Sequence, residues 1–288
     1  MSVLSDSPKD KVLITGASAG IGAVYADRFA GRGHDLVLVA RDVARLEALA
    51  TKLRGQTGVK VEVLPTDLSV KADVLRVEAK LKDDATIGVL VNNAGIAVPG
   101  AVTGGDPDAL ERLIQINVTA ATRIAAAAAA AFAAKKRGAI VNVASVLGLL
   151  PERTHPVYGG SKAFLINFSQ ALNIELAPFG VQVQAVLPGA TRTEIWERSG
   201  KDVATIDPAM LMEVDDLVDA ALAGFDAREL VTIPSLPDVA DWNAFEAARL
   251  KLAPNLSRNR SAGRYRNVVR VQACLSRSDP AAPDRLRG

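Results

Sequence analysis

The chain has 288 residues, 49% of them apolar and only 4% aromatic, with 22 glycines, one cysteine and two histidines. That apolar share can fill a sizeable core, the lone Cys274 excludes an intramolecular disulfide framework, and a metal site would have to be built from carboxylates. The net charge of +2 is uneven: residues 258–288 hold eight Arg against two Asp, while the rest carries 26 basic against 30 acidic residues, so the body offers no basic face for nucleic acid.

The N-terminal MSVLSDSPKDK has no apolar h-region, so a cleaved secretory signal is not expected, and residues 1–10 read as a flexible lead-in. Lys11–Gly16 carries Val12-Leu13-Ile14, an apolar, β-branched run that ends in glycine and predicts a buried strand. From Ile21 to Phe29 the spacing turns helical, with Ile21, Val24, Tyr25 and Phe29 recurring at three- and four-residue steps. A second strand is expected at Asp35–Ala40, a helix from Asp42 to Arg54 and a third strand at Val59–Leu64. Helical spacing returns from Ser69 to Lys82, and a fourth strand at Ile87–Val91 runs into Asn92-Asn93-Ala94-Gly95. Asp106–Lys136 reads as a long helix broken or bent near Asn117, followed by a fifth strand at Ala139–Ala144. A helix at Tyr158–Pro178, a sixth strand at Val181–Leu187 and a seventh at Leu230–Ile233 complete the alternation.

Such alternation predicts a Rossmann-like, doubly wound parallel sheet of about seven strands with helices on both faces, and ligands outside the carboxyl ends of the strands. One domain is expected over residues 9–252, followed at 253–288 by a basic, flexible tail whose one apolar patch is Val268-Val269-Arg270-Val271. The longest uncharged apolar stretch in mid-chain, Ile124–Ala134, falls well short of the roughly 20 residues a membrane span needs, so no membrane association is expected. A cytoplasmic setting is the plain inference.

Gly16, Gly20 and Gly22 lie between the first strand and the first helix. Gly16 suits a tight turn, Gly20 lets the backbone approach a diphosphate, and Gly22 lets the helix pack on the strand. The helix N-terminus then presents free amides and a positive dipole end to an anion. In dinucleotide folds a carboxylate at the end of the second strand takes the ribose hydroxyls, whereas a nearby Arg accommodates a 2′-phosphate. Here that strand ends in Ala40 and is followed by Arg41, so NADP is favoured over NAD, with Asp42 read as an alternative helix N-cap. Tyr158 and Lys162 lie four apart on one helical face, where an ammonium would stabilise the phenolate and pull the phenol below its usual value of about 10. A tyrosine so tuned can exchange a proton with a substrate oxygen near neutral pH, and Ser145, ending the fifth strand, can hold the same oxygen.

T-G-x-x-x-G-x-G at 15–22, N-N-A-G at 92–95, Ser145 thirteen residues before Tyr158, Y-x-x-x-K at 158–162, and Pro188-Gly189 with Thr193 beyond together resemble the short-chain dehydrogenase/reductase family over residues 11–235. The resemblance implies an oxidoreductase that moves a hydride between NADP(H) and a carbonyl or secondary alcohol. By that resemblance Tyr158 is the general acid/base, Ser145 orients the substrate oxygen, Lys162 lowers the tyrosine pKa and holds the nicotinamide ribose, and Asn117 anchors a relay water. Cofactor contacts are implied for Ser18 and Ile21 in the glycine turn, Asp67 and Leu68 near the adenine, Asn93, Ala94 and Gly95 near the adenosine ribose, and Pro188, Gly189, Thr191 and Thr193 near the nicotinamide. The family does not require His155, which reads as a loop residue.

Val146–Pro156 and Ala190–Met212 are expected to hold the substrate, with Leu147, Leu149, Leu150, Ile195, Trp196, Met210, Leu211 and Met212 making them apolar and Arg192, Glu194 and Arg198 as polar handles. An apolar ketone, aldehyde or secondary alcohol follows. The alanine-rich helix at Ala125–Ala134 and the Tyr158 helix are the surfaces through which the family commonly forms homodimers or homotetramers. The alternative is a cofactor-sensing or scaffolding protein on the same fold, which would tolerate loss of Tyr158 or Lys162; both are present.

Overall fold

The first apolar run forms strand β1 (Lys11–Thr15), whose neighbours are β2 (Leu36–Ala40) on one side and β4 (Ile87–Asn92) on the other. With β3 (Val61–Pro65), β5 (Gly138–Val143), β6 (Val181–Val186) and β7 (Val231–Thr232), they make an all-parallel sheet in the order β3-β2-β1-β4-β5-β6-β7. The order reverses between β1 and β4, which opens the crevice that such sheets use for ligands. The structure is a computed structural model that describes residues 9–198, 200 and 202–266, without the side chain of Arg198. Cys274, the Val268–Val271 patch, residues 1–8 of the lead-in and most of the basic tail lie outside the described residues.

Alternate strand residues feed two opposite layers. Val12 and Ile14 face a core with Tyr25 and Phe29 of α1 (Gly20–Gly31), Leu46 and Leu53 of α2 (Val43–Thr57), and Leu217 and Val218 of α8 (Val214–Asp226). Leu13, between them, faces Val74 and Leu81 of α3 (Lys71–Asp83), Ile124 and Phe132 of α5 (Ala121–Lys135), and Leu172 of α6 (Pro156–Leu176). Both sides of the strand are dry, as a doubly covered parallel sheet requires. Each large side chain buried in this way contributes about 1.5–3 kcal/mol.

The expected bend near Asn117 is a π-helical turn, Gln115–Ala120, joining α4 (Pro107–Ile114) to α5. By length and composition the 29-residue run Pro107–Lys135 is one helix long and apolar enough to cross a membrane. Half of its most apolar window is buried in the fold, where Ala125, Ala128 and Phe132 pack against the sheet as a core helix does. The small alanine side chains let α5 lie close to the strands.

Besides the single-turn α7 (Ile195–Arg198), two helices carry no expectation from the sequence. Val214, Leu217, Val218, Ala221 and Leu222 have the three- and four-residue spacing that places α8 on the core, a pattern legible once sought. The other is α9 (Val239–Leu250), which has no buried residue; its Trp242 and Phe245 rings lie 5.3 Å apart. The chain divides into two compact units between Ser235 and Leu236, with α9 in the second.

Gly22 has no room for a side chain: a β-carbon there would strike the Gly16 carbonyl oxygen and lie 2.6 Å from Asn93 Nδ2. Gly22→Ala is therefore expected to destabilise the protein by about 1–3 kcal/mol through overpacking, read as a lower denaturant midpoint. An unchanged midpoint would refute the close packing of α1 on the turn.

Candidate active site

The carboxyl ends of β1 to β6 deliver, in turn, Gly16, Arg41, Thr66-Asp67, Asn93, Ser145 and Pro188 to one edge of the sheet. Gly16 (φ 68°) and Gly20 (φ 54°) turn the chain in the left-handed region, from which side chains are disfavoured, and α1 then starts with no side-chain cap on its amides. Exposed amides, missing β-carbons and a helix N-terminus together fit a diphosphate. Ser18 and Ile21 lie in this turn, both part-buried, and Ile21 packs on the core.

Thr15, which the sequence offered only as the first letter of a motif, ties the crevice together. Its hydroxyl accepts from Asn93 N and Ala94 N, each at 3.0 Å. Asn93 Nδ2 donates back to Thr15 O (2.9 Å) and Gly16 O (3.3 Å), so this amide braces the glycine turn. Gly95 follows, where a β-carbon would lie 3.3 Å from Asn117 Oδ1 and 3.4 Å from Lys162 Nζ.

Arg41 is exposed, with its guanidinium 4.0 Å from Asp67. Asp42 is the N-cap of α2, accepting from Arg45 N at 3.0 Å, in agreement with the alternative read from the sequence. Asp67 accepts from the backbone and hydroxyl of Ser69, and these bonds hold its carboxyl below the usual range against the opposing effect of burial. Leu68 is buried beside it.

Tyr158, Ser145 and Lys162 meet where β5 faces the first turns of α6. Lys162 Nζ lies 5.7 Å from the Tyr158 ring centre, and the Ser145 side chain stands near enough to the Tyr158 hydroxyl to act on its titration. Lys162 is buried and donates to Val143 O at 2.9 Å. Ser145 both caps, accepting from Leu147 N at 3.2 Å, and donates to Pro188 O at 3.3 Å. The expected lowering of the phenol is not what the protein alone provides. Loss of water around the hydroxyl pushes Tyr158 up to about 12, opposed by the nearby Ser145 side chain, and the same desolvation lowers Lys162 to about 8.

Asn117, in the π turn, is fully engaged. Its Oδ1 accepts from Ile96 N (2.8 Å), and its Nδ2 donates to Ile96 O (2.9 Å) and Ser161 Oγ (3.2 Å). Ser161 was not legible as a site residue: it is an ordinary small polar side chain whose role comes only from facing Asn117. A second buried chain runs from Asn92 to Asn142 (3.1 Å) to Ser169 (2.9 Å) and fixes α6 against β4 and β5. His155, read as a loop residue, does lie outside the helices and strands, where it also caps α6, with Nδ1 accepting from Val157 N at 3.2 Å.

After β6, Thr191 donates to Gly189 O (3.1 Å), and a β-carbon on Gly20 would meet the Thr193 methyl at 3.4 Å. The segment past Pro188-Gly189 therefore overlies the glycine turn. Leu147, Leu149, Ile195 and Trp196 are part-buried near it, whereas Met210 is exposed. Two of the expected polar handles are engaged elsewhere: Arg192 pairs with Glu213 at 2.8 Å, and Glu194 with Arg45 at 2.8 Å.

Residues 10–204 match the family described as short chain dehydrogenase. A short-chain dehydrogenase from Sphingobium yanoikuyae, solved in complex with NADPH, is 55% identical, with a TM-score of 0.86 over 89% of this chain and 100% of that one. The bulky-bulky ketone specific alcohol dehydrogenase from Comamonas testosteroni is 46% identical, with a TM-score of 0.83 over 90% of this chain and 99% of that one. A very-long-chain 3-oxoacyl-CoA reductase of Podospora anserina is 36% identical over 61% of this chain, but the match spans only 53% of that protein. Sheet order, glycine turn and family match agree: the chain belongs to the short-chain dehydrogenase family and is an NAD(P)-dependent oxidoreductase acting on alcohol or ketone substrates.

Proposed function

We propose that the protein transfers a hydride between NADP(H) and a ketone or secondary alcohol with apolar substituents, with Tyr158 as its general acid/base. The observation that carries this is the gathering of Tyr158, Ser145 and the buried Lys162 ammonium at the crevice edge, with Lys162 Nζ 5.7 Å from the Tyr158 ring centre and anchored on Val143 O at 2.9 Å. NADP rather than NAD is supported by Arg41 at the end of β2, by the absence of a carboxylate at Ala40, and by the NADPH bound to the Sphingobium relative. Leu147, Leu149, Ile195 and Trp196 support an apolar substrate, as does the ketone specificity named for the Comamonas relative. The exposed Phe164, stacked on the half-buried Phe168 along α6, supports assembly as a homodimer or homotetramer.

When bound, the reduced nicotinamide supplies the hydride that the carbonyl carbon accepts. Gly16, Ser18, Gly20, Ile21 and Gly22 would seat its diphosphate, Arg41 the 2′-phosphate, Asp67 and Leu68 the adenine, Asn93 to Gly95 the adenosine ribose, and Pro188, Gly189, Thr191 and Thr193 the nicotinamide end. Ser145 donates to the substrate oxygen and keeps it against the Tyr158 hydroxyl. Tyr158 releases its proton to that oxygen as the carbonyl is reduced, and takes one from the alcohol in the reverse direction. The resulting phenolate is stabilised by Lys162, which is mostly protonated at neutral pH despite its lowered value of about 8. Both amide hydrogens of Asn117 are committed, so a relay water would be held by its backbone.

Tyr158→Phe is expected to lower kcat/KM for ketone reduction by about 10²–10⁴-fold while NADPH still binds, measured by NADPH oxidation against a ketone panel. Full activity in that variant would overturn the assigned role. Reduction needs the phenol and oxidation the phenolate. With the phenol raised to about 12, reduction should hold through neutral pH and fall only in alkali, whereas alcohol oxidation should rise from neutral pH upward. Parallel pH profiles in the two directions would contradict this. Arg41→Ala should raise the KM for NADPH about 10- to 100-fold, the range of one charged hydrogen bond, and leave that for NADH nearly unchanged.

A further inference from the structure

Glu194 follows the residue that overlies the glycine turn, and its carboxylate reaches across the crevice. Both of its oxygens lie on Arg45 Nη1, at 2.8 and 2.9 Å, although the two residues are 149 positions apart. Arg45 stands in the first turn of α2, just past the strand end that carries Arg41. On the opposite side the segment is rooted firmly. Thr191 pairs with Met212 as an isolated bridge, Met212 N donates to Ala190 O (2.9 Å), Arg192 N donates to Met212 O (3.0 Å), and Trp196 Nε1 donates to Thr191 O (2.7 Å). Between the root and the Arg45 contact lies Thr193, within van der Waals reach of Gly20.

We propose that Arg45 and Glu194 form an ionic strap that holds the Thr193 segment over the glycine turn and the nicotinamide nucleotide seated there, and thereby sets how fast the nucleotide is released. The proposal rests on the dinucleotide reading above and adds two positioning residues to it. Arg45 is poorly suited to grip a 2′-phosphate itself. Two carboxylates face it, Asp42 at 3.4 Å and Glu194, and either would repel a phosphate dianion. Arg41, whose paired Asp67 stands off at 4.0 Å, is the better phosphate ligand. A strap acts on the part of the cofactor that NADPH and NADH share, so its loss should affect both equally. Arg45 and Glu194 are 48% and 42% exposed, so salt should weaken the pair.

The test is the dissociation rate of NADPH and of NADH, measured by chasing bound reduced cofactor with excess oxidised cofactor and following nicotinamide fluorescence. Glu194→Gln and Arg45→Gln should each speed release of both cofactors about two- to fivefold, the effect of one exposed ion pair. The double variant should be no faster than either single one, because both remove the same contact. Wild-type release should accelerate with ionic strength, and release from the variants should respond much less. The KM for cofactor should rise without a matching fall in the single-turnover hydride rate at saturating cofactor. Unchanged release in both single variants, or additive effects in the double one, would overturn the strap. An effect of Arg45→Gln confined to NADPH would make Arg45 a phosphate ligand instead. Failure of the wild type to bind NADPH at all would refute the functional reading above rather than the strap.

Discussion

The crevice depends on one close approach. The Asn93 side-chain amide fills the space where β-carbons on Gly16 and Gly22 would otherwise stand, 2.8 and 2.6 Å away. It donates to two carbonyl oxygens of the first turn, while Thr15 receives the backbone amides of Asn93 and Ala94. Strands β1 and β4 are thereby locked together at the point where the sheet order reverses, and the N-terminus of α1 is held open toward the crevice. Buried polar groups are costly unless paired, so this knot tolerates few alternative arrangements.

From that knot the rest of the site is reached by short, buried steps. Asn117 staples Ile96 to Ser161, and Asn92, Asn142 and Ser169 staple α6 to the sheet, so Tyr158 and Lys162 are held on a helix that cannot shift its register. The environment these contacts create is dry, which explains why the two titrating groups move apart rather than toward each other. Desolvation lifts the phenol and lowers the ammonium. A neutral phenol suits proton donation.

The surface around the crevice is organised by charge. Arg28 reaches Asp215 and Asp219, which hold its guanidinium above its usual range, and Arg32 reaches Asp226, so that α1 is clasped to α8. Arg192 and Glu213 close the root of the segment that follows β6, and Arg45 and Glu194 bind its far side to α2. Individually such exposed pairs contribute little to stability, about 0–1 kcal/mol each. They matter more for which segments sit together than for whether the chain folds.

The chain's own pattern of residues was enough for the alternation of strands and helices, the parallel sheet, the glycine turn and the register of Ser145, Tyr158 and Lys162. These follow from local periodicity, from the absence of β-carbons and from the four-residue repeat of a helix, all of which act over short distances along the chain. Contacts between distant residues were not legible in it: Thr15 bracing Asn93, Ser161 receiving Asn117, and Glu194 meeting Arg45. The direction of the phenol's shift also escaped it, because burial is set by every element packed around a group. Sequence spacing decides which side chains can share a face; only the folded surroundings decide how much water they keep and which partner reaches them first.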